Sequence, residues 1–302
     1  MLQFFKKTNI DFISRRKAAI LFSATIIIAG LIVMIINGPK WSIDFQGGLE
    51  IQIRFQNDVS DGDIRAALTG IEIGEVKTVT GLGQKEDFLI RTKEEGDFAE
   101  LQRQISDKLD AAFASNPHEI RGVDVVGPKV GQELRRQAII SAIVAMILLV
   151  IYISWRFEFK FAVGGVIALL HDVLVTMAFF AFFGYEFSLS VLAAFLTLIG
   201  FSLNDTIVIY DRIRENLKKL RQISLAEIMN QSINETLSRT IITSLTVFLT
   251  ILVLFIFGGP VLRGFSFAML VGVVTGVYSS VFIAAPVVLE WSERSALKGK
   301  KR

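Results

Sequence analysis

Residues 187–210 read FSLSVLAAFLTLIGFSLNDTIVIY. The run carries no charge as far as Leu203, and Asn204 and Asp205 then interrupt it before apolar residues resume. An α-helix of about 20 mostly apolar residues is long enough to cross the hydrocarbon core of a bilayer. The stretch therefore predicts a membrane-spanning helix that carries a carboxylate toward one end.

Five further apolar runs of similar length accompany this one, at 18–36, 138–155, 161–183, 240–257 and 264–289. Of the 302 residues, 52% are hydrophobic and only 20% are charged, a lower charge than soluble domains carry. The sequence thus predicts a polytopic α-helical membrane protein with six transmembrane helices. Six such runs disfavour the alternative that they are buried helices of a soluble protein.

Several classes of chemistry are excluded by composition. The chain has no cysteine, which excludes disulfides, thiolate nucleophiles and Cys-ligated metals. Its two histidines, His118 and His171, are far apart, and neither an HExxH motif nor a P-loop is present. We therefore expect no metal and no cofactor.

Lys and Arg residues lie mostly on one side of the predicted spans. That side carries 18 of them, whereas the two short loops on the other side carry only Arg263. The positive-inside rule then places both termini in the cytoplasm. We expect residues 1–37 to form the cytoplasmic N-terminus and the first span, which is too long for a signal peptide core. Residues 38–135 form an extracytoplasmic domain, and 136–302 contain the other five spans, a cytoplasmic loop at 211–239 and a basic tail.

The predicted outside domain is acidic. It holds 12 Lys or Arg and 18 Asp or Glu, a net charge of −6, while the rest of the chain has a net charge of +9. The basic balance of the whole chain therefore reflects cytoplasmic loops, and we expect no nucleic acid partner. Strict alternation in residues 49–55 indicates a half-buried strand. The pattern that follows predicts a ferredoxin-like βαββαβ domain between spans one and two, with its elements at 49–55, 61–68, 75–80, 88–92, 98–113 and 119–126.

Glycine and proline mark both junctions between this domain and the spans. Asp44, Gly47 and Gly48 follow the first span, and Gly127 and Pro128 precede the second. Ordinary turn geometry explains such residues. The alternative is that the two stretches form a hinge between the domain and the membrane.

Ionisable residues within the predicted spans are candidate functional groups, because each costs about 2.5–3.5 kcal/mol to insert. His171 and Asp172 lie in the middle of the third span, where a hydrogen bond to a neighbouring span is the structural alternative. Asp205 lies seven residues before Arg212 on one helix face, and Arg239 precedes the fifth span. A structural ion pair with either arginine is the alternative for Asp205.

Two local patterns concern packing. Gly272 and Gly276 have the small-xxx-small spacing that lets helices approach closely. Ser224 and Glu227 have the spacing of a capping box. Apolar residues that follow at 225, 228, 229 and 233 predict an amphipathic helix on the cytoplasmic surface.

Five stretches, in order, resemble the SecF family of protein-export membrane subunits. They are DFQGG at 44–48, VGPKVGQEL at 126–134, LHDV at 170–173, GFSLNDTIVIYDRIREN at 200–216 and SINETLSRT at 232–240. The resemblance covers nearly the whole chain, and the order of the stretches makes it specific.

The resemblance implies a subunit of the bacterial cell (inner) membrane that belongs to the resistance–nodulation–division superfamily. It implies a separate six-span SecD homologue as partner, together with the SecYEG channel, YajC, a translocating preprotein and membrane lipid. It also implies use of the proton motive force in late protein export without an ATPase of its own. The family's Asn-Asp-Thr and Leu-Ser-Arg-Thr motifs assign a proton relay to Asp205 and Arg239. Supporting roles are expected for Asn204, His171, Asp172 and Arg212.

Three other functions remain open from the residues alone. One is a stand-alone proton-coupled exporter of small or lipidic substrates, which would need a sizeable apolar cavity within its own spans. Another is a purely structural scaffold subunit. The third is an intramembrane hydrolase built on His171 and Asp172, which lacks a serine-centred nucleophile motif.

Overall fold

The protein, described by a computed structural model over residues 8–79, 86–92, 97–220 and 222–299, consists of a helical bundle and a small sheet module. In chain order the elements are α1 (Arg16–Asn37), α2 (Ile43–Gln46), β1 (Gly48–Phe55), α3 (Asp61–Ala67), β2 (Ile73–Val79), β3 (Asp87–Thr92), α4 (Phe98–Ala112), β4 (His118–Val126), α5 (Pro128–Arg156), α6 (Phe159–Phe183), α7 (Leu189–Lys219), α8 (Leu225–Phe257), α9 (Gly259–Ser279), a π-helical turn (Ser280–Ala284) and α10 (Ala285–Gly299). Six segments are long and apolar enough to cross a membrane, with α9 to α10 forming the sixth. The predicted multi-span architecture is confirmed.

The sheet module has the predicted element order βαββαβ. Its four strands lie in the order β2-β3-β1-β4, and every neighbouring pair is antiparallel. Each helix joins two strands that have one other strand between them, as in a split βαβ unit. The ferredoxin-like classification stays a prediction, and the predicted end of β2 at residue 80 lies outside the described residues.

One face of the sheet is covered by α3 and α4. Alternate residues of β1 and β3 pack there against both helices, with the fully buried Ile64 and Leu109 at the centre of the contact. Ser60 caps α3 with a capping box. The polar residues of the strands consequently face the other way, toward the bundle.

Helix α5 begins at Pro128 and so includes the last eight residues, 128–135, that were expected to belong to the outside domain. The sheet ends at Val126, Gly127 is an extended N-cap, and Pro128 is the first residue of α5. Proline suits this position because its φ angle is already helical and its missing N–H is not needed. Residues 128–135, predicted to belong to the domain, therefore extend the membrane helix.

The two predicted hinge stretches pack directly on each other. Gly47 has φ +79°, and a Cβ at that position would lie 2.9 Å from the Cα atom of Pro128. Asp44 Oδ2 accepts a hydrogen bond of 2.9 Å from the backbone N–H of Leu189, at the start of α7. These contacts join the first junction to the second and to the bundle.

An ion-pair cluster centred on Arg91 fastens the open face of the sheet to the α6–α7 connection. Arg91 contacts Glu186 at 2.8 Å and also pairs with Glu50 of β1. Burial alone lowers the pKa of the Arg91 guanidinium, but the two carboxylates outweigh it and raise that pKa above its ordinary value. Arg91 therefore stays charged and holds the module against the end of the bundle at which α6 and α7 are connected.

The segment 211–239, expected to be a cytoplasmic loop, is mostly helical. Helix α7 continues to Lys219, and α8 begins at Leu225 behind a capping box formed by Ser224 and Glu227. The predicted amphipathic surface helix is thus the first part of the fifth span and not a separate element. Hydropathy marks only the apolar part of a helix, whereas the backbone hydrogen bonds continue beyond it.

The sixth span contains a π-helical turn just before Pro286. Proline has no N–H, and its ring clashes with the carbonyl four residues earlier in a regular helix. The turn lies directly before this break, and at its last residue the Ala284 carbonyl accepts a hydrogen bond of 3.3 Å from the Tyr210 hydroxyl. Such turns frequently occur at functional sites.

Candidate functional site

Close packing of α9 against α7 places the polar groups of the bundle. A Cβ at Gly276 would lie 3.1 Å from the Cβ of Ser202, and a Cβ at Gly272 would overlap Leu198. The two glycines thus allow the backbones to approach, as their spacing indicated. Ser202 and Ser279 are brought to the same point as a result.

Asp172 of α6 lies at that point and is only 1% exposed. Its Oδ2 accepts hydrogen bonds from Ser202 at 2.5 Å and from Ser279 at 2.8 Å. Its Oδ1 lies 3.0 Å from Nδ1 of His171. Both carboxylate oxygens are therefore bonded by groups from three helices, which is the structural alternative that the sequence left open for Asp172.

His171 connects the same cluster to α1. Its Nε2 is 2.9 Å from Oγ of Ser23, which also contacts the hydroxyl of Tyr278 at 3.1 Å. The imidazole ring stacks on the Tyr278 ring, with 5.8 Å between the centroids. A continuous polar network thus links α1, α6, α7 and α9 inside the bundle.

Ser23, His171 and Asp172 have the relative positions of a serine hydrolase triad, a geometry that sequence reasoning missed because Ser23 is 148 residues from His171. The hydrogen bonds argue against hydrolysis. Ser23 donates its proton to Tyr278 and not to the histidine, so the imidazole is not positioned to deprotonate it. Ser23 is also only 4% exposed, which leaves no access for a substrate.

Asp205, the predicted proton carrier, lies on a different face of α7. It is 3% exposed, and Oδ2 accepts a hydrogen bond of 3.0 Å from Ser244 of α8. Among the described residues, Ser244 is the only side chain that donates to this carboxylate. One turn earlier on α8, the buried Thr240 Oγ1 makes no hydrogen bond within the described part of the chain. The surroundings of Asp205 are polar but incompletely bonded.

Neither arginine forms the ion pair considered for Asp205. Arg212 instead contacts Glu235 at 2.5 Å and Glu215 at 2.6 Å. Arg239 is exposed, and no ion pair within 4.0 Å joins it to Asp205 in the described residues. Arg239 nevertheless lies on α8 five residues before Ser244, so it stands near the carboxylate without neutralising it directly.

The remaining predicted site residue of α7, Asn204, is exposed on the outside of the bundle. The serines that complete both clusters, Ser202, Ser244 and Ser279, were not predicted. Serine is common in membrane helices, and only the packing of the helices shows which hydroxyls meet a carboxylate. Over the described ranges, no group of three or more His, Asp or Glu side chains is arranged to hold a metal ion.

Comparison with known proteins places this geometry in a family. Residues 105–294 match protein export membrane protein SecD/SecF, C-terminal, and residues 32–59 match the SecD/SecF GG motif. The chain is 43% identical to protein translocase subunit SecF of Rhodothermus marinus over 98% of both chains. It is 45% identical to that of Magnetococcus marinus, over 96% of this chain and 94% of the relative.

A solved structure gives the same result. The crystal structure of SecDF, a translocon-associated membrane protein from Thermus thermophilus, matches 95% of this chain with a TM-score of 0.84 and 34% identity. The match covers 39% of the SecDF chain, so the present chain spans about two fifths of that protein. From the motifs, the six spans and these matches together, the chain belongs to the SecD/SecF family of protein-export membrane proteins.

Proposed function

We propose that the chain is an accessory subunit of the bacterial preprotein translocase that acts with a SecD-type six-span partner in the cell inner membrane. The subunit uses the proton motive force to promote late export, and it has no ATPase of its own. SecYEG, YajC and the translocating preprotein are its further partners. The near full-length match to subunits named SecF supports this assignment.

The contact made by Asp205 is the observation that carries the proposal. A buried carboxylate with a single described hydroxyl donor, next to a helix that bears the exposed Arg239, can exist in two protonation states. Desolvation favours the acid, and approach of the guanidinium of Arg239 favours the carboxylate. Movement of α8 against α7 therefore changes the proton affinity of Asp205.

The energy required for such movement is available from the membrane. Transfer of one charge through 100 mV supplies about 2.3 kcal/mol. This is enough to shift the populations of two helix arrangements by more than tenfold, since about 1.4 kcal/mol corresponds to a factor of ten. In the proposal, loading and release of a proton at Asp205 drive alternation between the two arrangements.

The distribution of apolar surface supports a partner over a stand-alone exporter. Helices α5 and α8 leave most of their apolar residues uncovered, including Ile147, Ile151 and Val253. Cavities of about 530 and 480 Å³ lie at one end of the spans and cavities of about 810 and 770 Å³ lie at the other, and none of these four is in the middle of the bundle. The uncovered helices are suited to contact a second bundle and lipid.

Replacement of Asp205 by asparagine tests the mechanism. Asparagine keeps the shape and the hydrogen bond to Ser244 but cannot carry a proton. We expect proton-dependent export from inverted vesicles to fall to the level measured without a gradient, while membrane level and partner co-purification stay normal. Asp211→Asn, which changes a partly exposed carboxylate about two turns further along α7, serves as the matched control.

The outcomes separate the proposal from the scaffold alternative. A scaffold predicts that Asp205→Asn exports normally, or that it loses its partner. Asp205→Glu should retain part of the activity. Arg239→Lys should impair export, since an ammonium lacks the planar fork of the guanidinium.

The orientation in the membrane is a separate part of the proposal. Because the chain has no native cysteine, a cysteine at the exposed Ser115 of the module reports the outer side. It should react with an impermeant thiol reagent in intact spheroplasts. A cysteine at the exposed Gln222, between α7 and α8, should react only after the membrane is opened. The reverse pattern would overturn the assignment of both termini to the cytoplasm.

A further inference from the structure

The hydrogen bonds around His171 determine where each proton lies. Tyr278 contacts the backbone carbonyl of Ala19 at 2.7 Å, and because a carbonyl cannot donate, the tyrosine hydroxyl is the donor. Its oxygen is then free to accept, and Ser23 donates to it at 3.1 Å. The single proton of Ser23 is thereby used.

Ser23 can consequently act only as an acceptor toward its other neighbour. That neighbour is Nε2 of His171, at 2.9 Å. A bond between them requires the proton to be on the nitrogen, because a neutral imidazole has one N–H and one lone pair. Position Nε2 of His171 is therefore protonated.

At the opposite side of the ring, Nδ1 lies 3.0 Å from Oδ1 of Asp172. A lone pair facing a carboxylate oxygen is repulsive, so this contact needs one proton. The proton gives either imidazolium with carboxylate or imidazole with carboxylic acid, and both forms are neutral overall. The serine donors at Oδ2 suit either form, since an oxygen there accepts in both.

We propose that His171 and Asp172 form a second buried proton site, which holds one shared proton and transmits its state to α1 through Ser23. A neutral pair satisfies the membrane interior, where an isolated charge is costly. Tyr278 is the only other titratable side chain that the described helices direct at the pair, and α7 and α9 otherwise contribute Ser202 and Ser279.

Helix α1 is the helix whose position we expect to change with the proton on the His171–Asp172 pair, because few of its residues are buried against the bundle. Among its residues only Ser23 and Gly30 are buried, one heptad apart on the side that faces α6. Gly30 packs against the backbone of Ala178, and Ser23 provides the hydrogen bond to His171. The C-terminal end of α1 leads through α2 into the sheet module.

Loss of the shared proton reverses the chain of hydrogen bonds. The imidazole must then turn its only N–H toward the carboxylate, which leaves a lone pair on Nε2. Ser23 has to donate to that lone pair and gives up its bond to Tyr278. One of the two hydrogen bonds by which Tyr278 joins α9 to α1 is thereby lost, while its bond to the Ala19 carbonyl and the link between α6 and α1 persist.

This inference is independent of the proposed function, and its test uses the purified full chain in lipid nanodiscs. The chain has two histidines, so a His118→Gln variant with isotope-labelled histidine gives the NMR signals of His171 alone. We expect a protonated Nε2 and an Nδ1 in a strong hydrogen bond. An unprotonated Nε2 would overturn the assignment.

Spin labels on cysteines at Ile35 and Phe183 test the response of α1. Both positions are exposed, at the outer ends of α1 and α6. We expect one narrow distance in the parent protein and a clearly broader distribution in Ser23→Ala. Thr25→Ala removes a hydroxyl that, in the described part of the chain, bonds to the Leu21 carbonyl of α1 itself, so this variant should match the parent. Ser23→Thr should restore the narrow distance.

Asp172→Asn completes the test, because the asparagine amide offers Nδ1 of His171 the same kind of N–H or O–H donor as the protonated His171–Asp172 pair. The amide oxygen can take the two serine bonds, and the NH₂ group can donate to Nδ1. We expect this variant to keep both the protonated Nε2 and the narrow distance. A narrow distance in Ser23→Ala, or a broad one in Asp172→Asn, would show that the pair does not control α1.

Discussion

Asp172 and Asp205 are two buried carboxylates in one bundle, and they differ in how completely they are bonded. Asp172 is contacted by His171, Ser202 and Ser279. Asp205 is contacted by Ser244 alone in the described structure. The first is fixed by its neighbours from several helices, whereas the second keeps unused capacity to accept a proton or a cation.

The difference in hydrogen bonding indicates separate roles for the two carboxylates, although each of them interrupts an apolar run in the same way. A fully bonded buried group stabilises one arrangement, because every alternative loses hydrogen bonds. Moving a partly bonded group costs less free energy, because fewer hydrogen bonds have to be broken. The comparison predicts that changes at Asp172 affect stability, and that changes at Asp205 affect activity.

Leucine substitutions give the largest predicted contrast. Asp172→Leu leaves His171 and Ser202 without their acceptor, at about 1–3 kcal/mol for each unsatisfied group, or at least about 2 kcal/mol in total, while Ser279 keeps a bond of 3.2 Å to the Gly276 carbonyl. Asp205→Leu leaves only the Ser244 hydroxyl, which can turn to a carbonyl of its own helix, so we expect about 1 kcal/mol. Thermal unfolding in detergent measures both, and equal losses would contradict the comparison.

Substitution of Gly276, which packs against Ser202 beside Asp172, should destabilise the surroundings of Asp172 and leave those of Asp205 unchanged. A valine at Gly276 would push α9 away from Ser202, and overpacking of this kind typically costs about 1–3 kcal/mol. Gly200→Val on α7 is the control, because a Cβ there meets no atom within 4 Å. We expect only Gly276→Val to destabilise the bundle, as measured by the unfolding midpoint.

Removal of single donors should give a smaller effect. Ser202→Ala and Ser244→Ala each delete one hydrogen bond to a carboxylate, and a loss of about 1 kcal/mol is expected for each. Only Ser244→Ala should also change the dependence of export on the proton gradient. A change in Ser202→Ala of the same size would argue against separate roles.

The smallest predicted effect lies outside the bundle. Glu186→Gln removes one carboxylate from Arg91, which Glu50 still holds. We expect a loss of about 0–1 kcal/mol that disappears in high salt, together with faster hydrogen exchange in the α6–α7 connection. If this exchange stays unchanged, the ion pair does not fasten the module.

Sequence reasoning predicted the spans and the module because hydropathy and alternation are local properties. It also selected Asp172 and Asp205, since a carboxylate in an apolar run is conspicuous. The residue pattern alone could not show how differently the two carboxylates are hydrogen-bonded, because Ser279 lies 107 residues from Asp172 and Ser244 lies 39 residues from Asp205. The helical continuation at 211–219 was missed because its charges resemble those of a loop, and the amphipathic helix predicted from residue 225 was not recognised as the start of the fifth span.

The backbone near the first described residues of the chain is held by side chains of α8, more than 200 residues later in the sequence. Asn230 and Asn234 of α8 hold the backbone of Ile10, whose carbonyl accepts from both side-chain amides at 3.0 and 2.8 Å. The N–H of Ile10 bonds to Asn234 as well, at 2.9 Å. The chain is synthesised from its N-terminus, so the segment around Ile10 can make these bonds only after the first part of α8 has been made. Its docking is therefore a late step of biogenesis, and bulky fusions near residue 8 should delay maturation of the bundle more than its insertion.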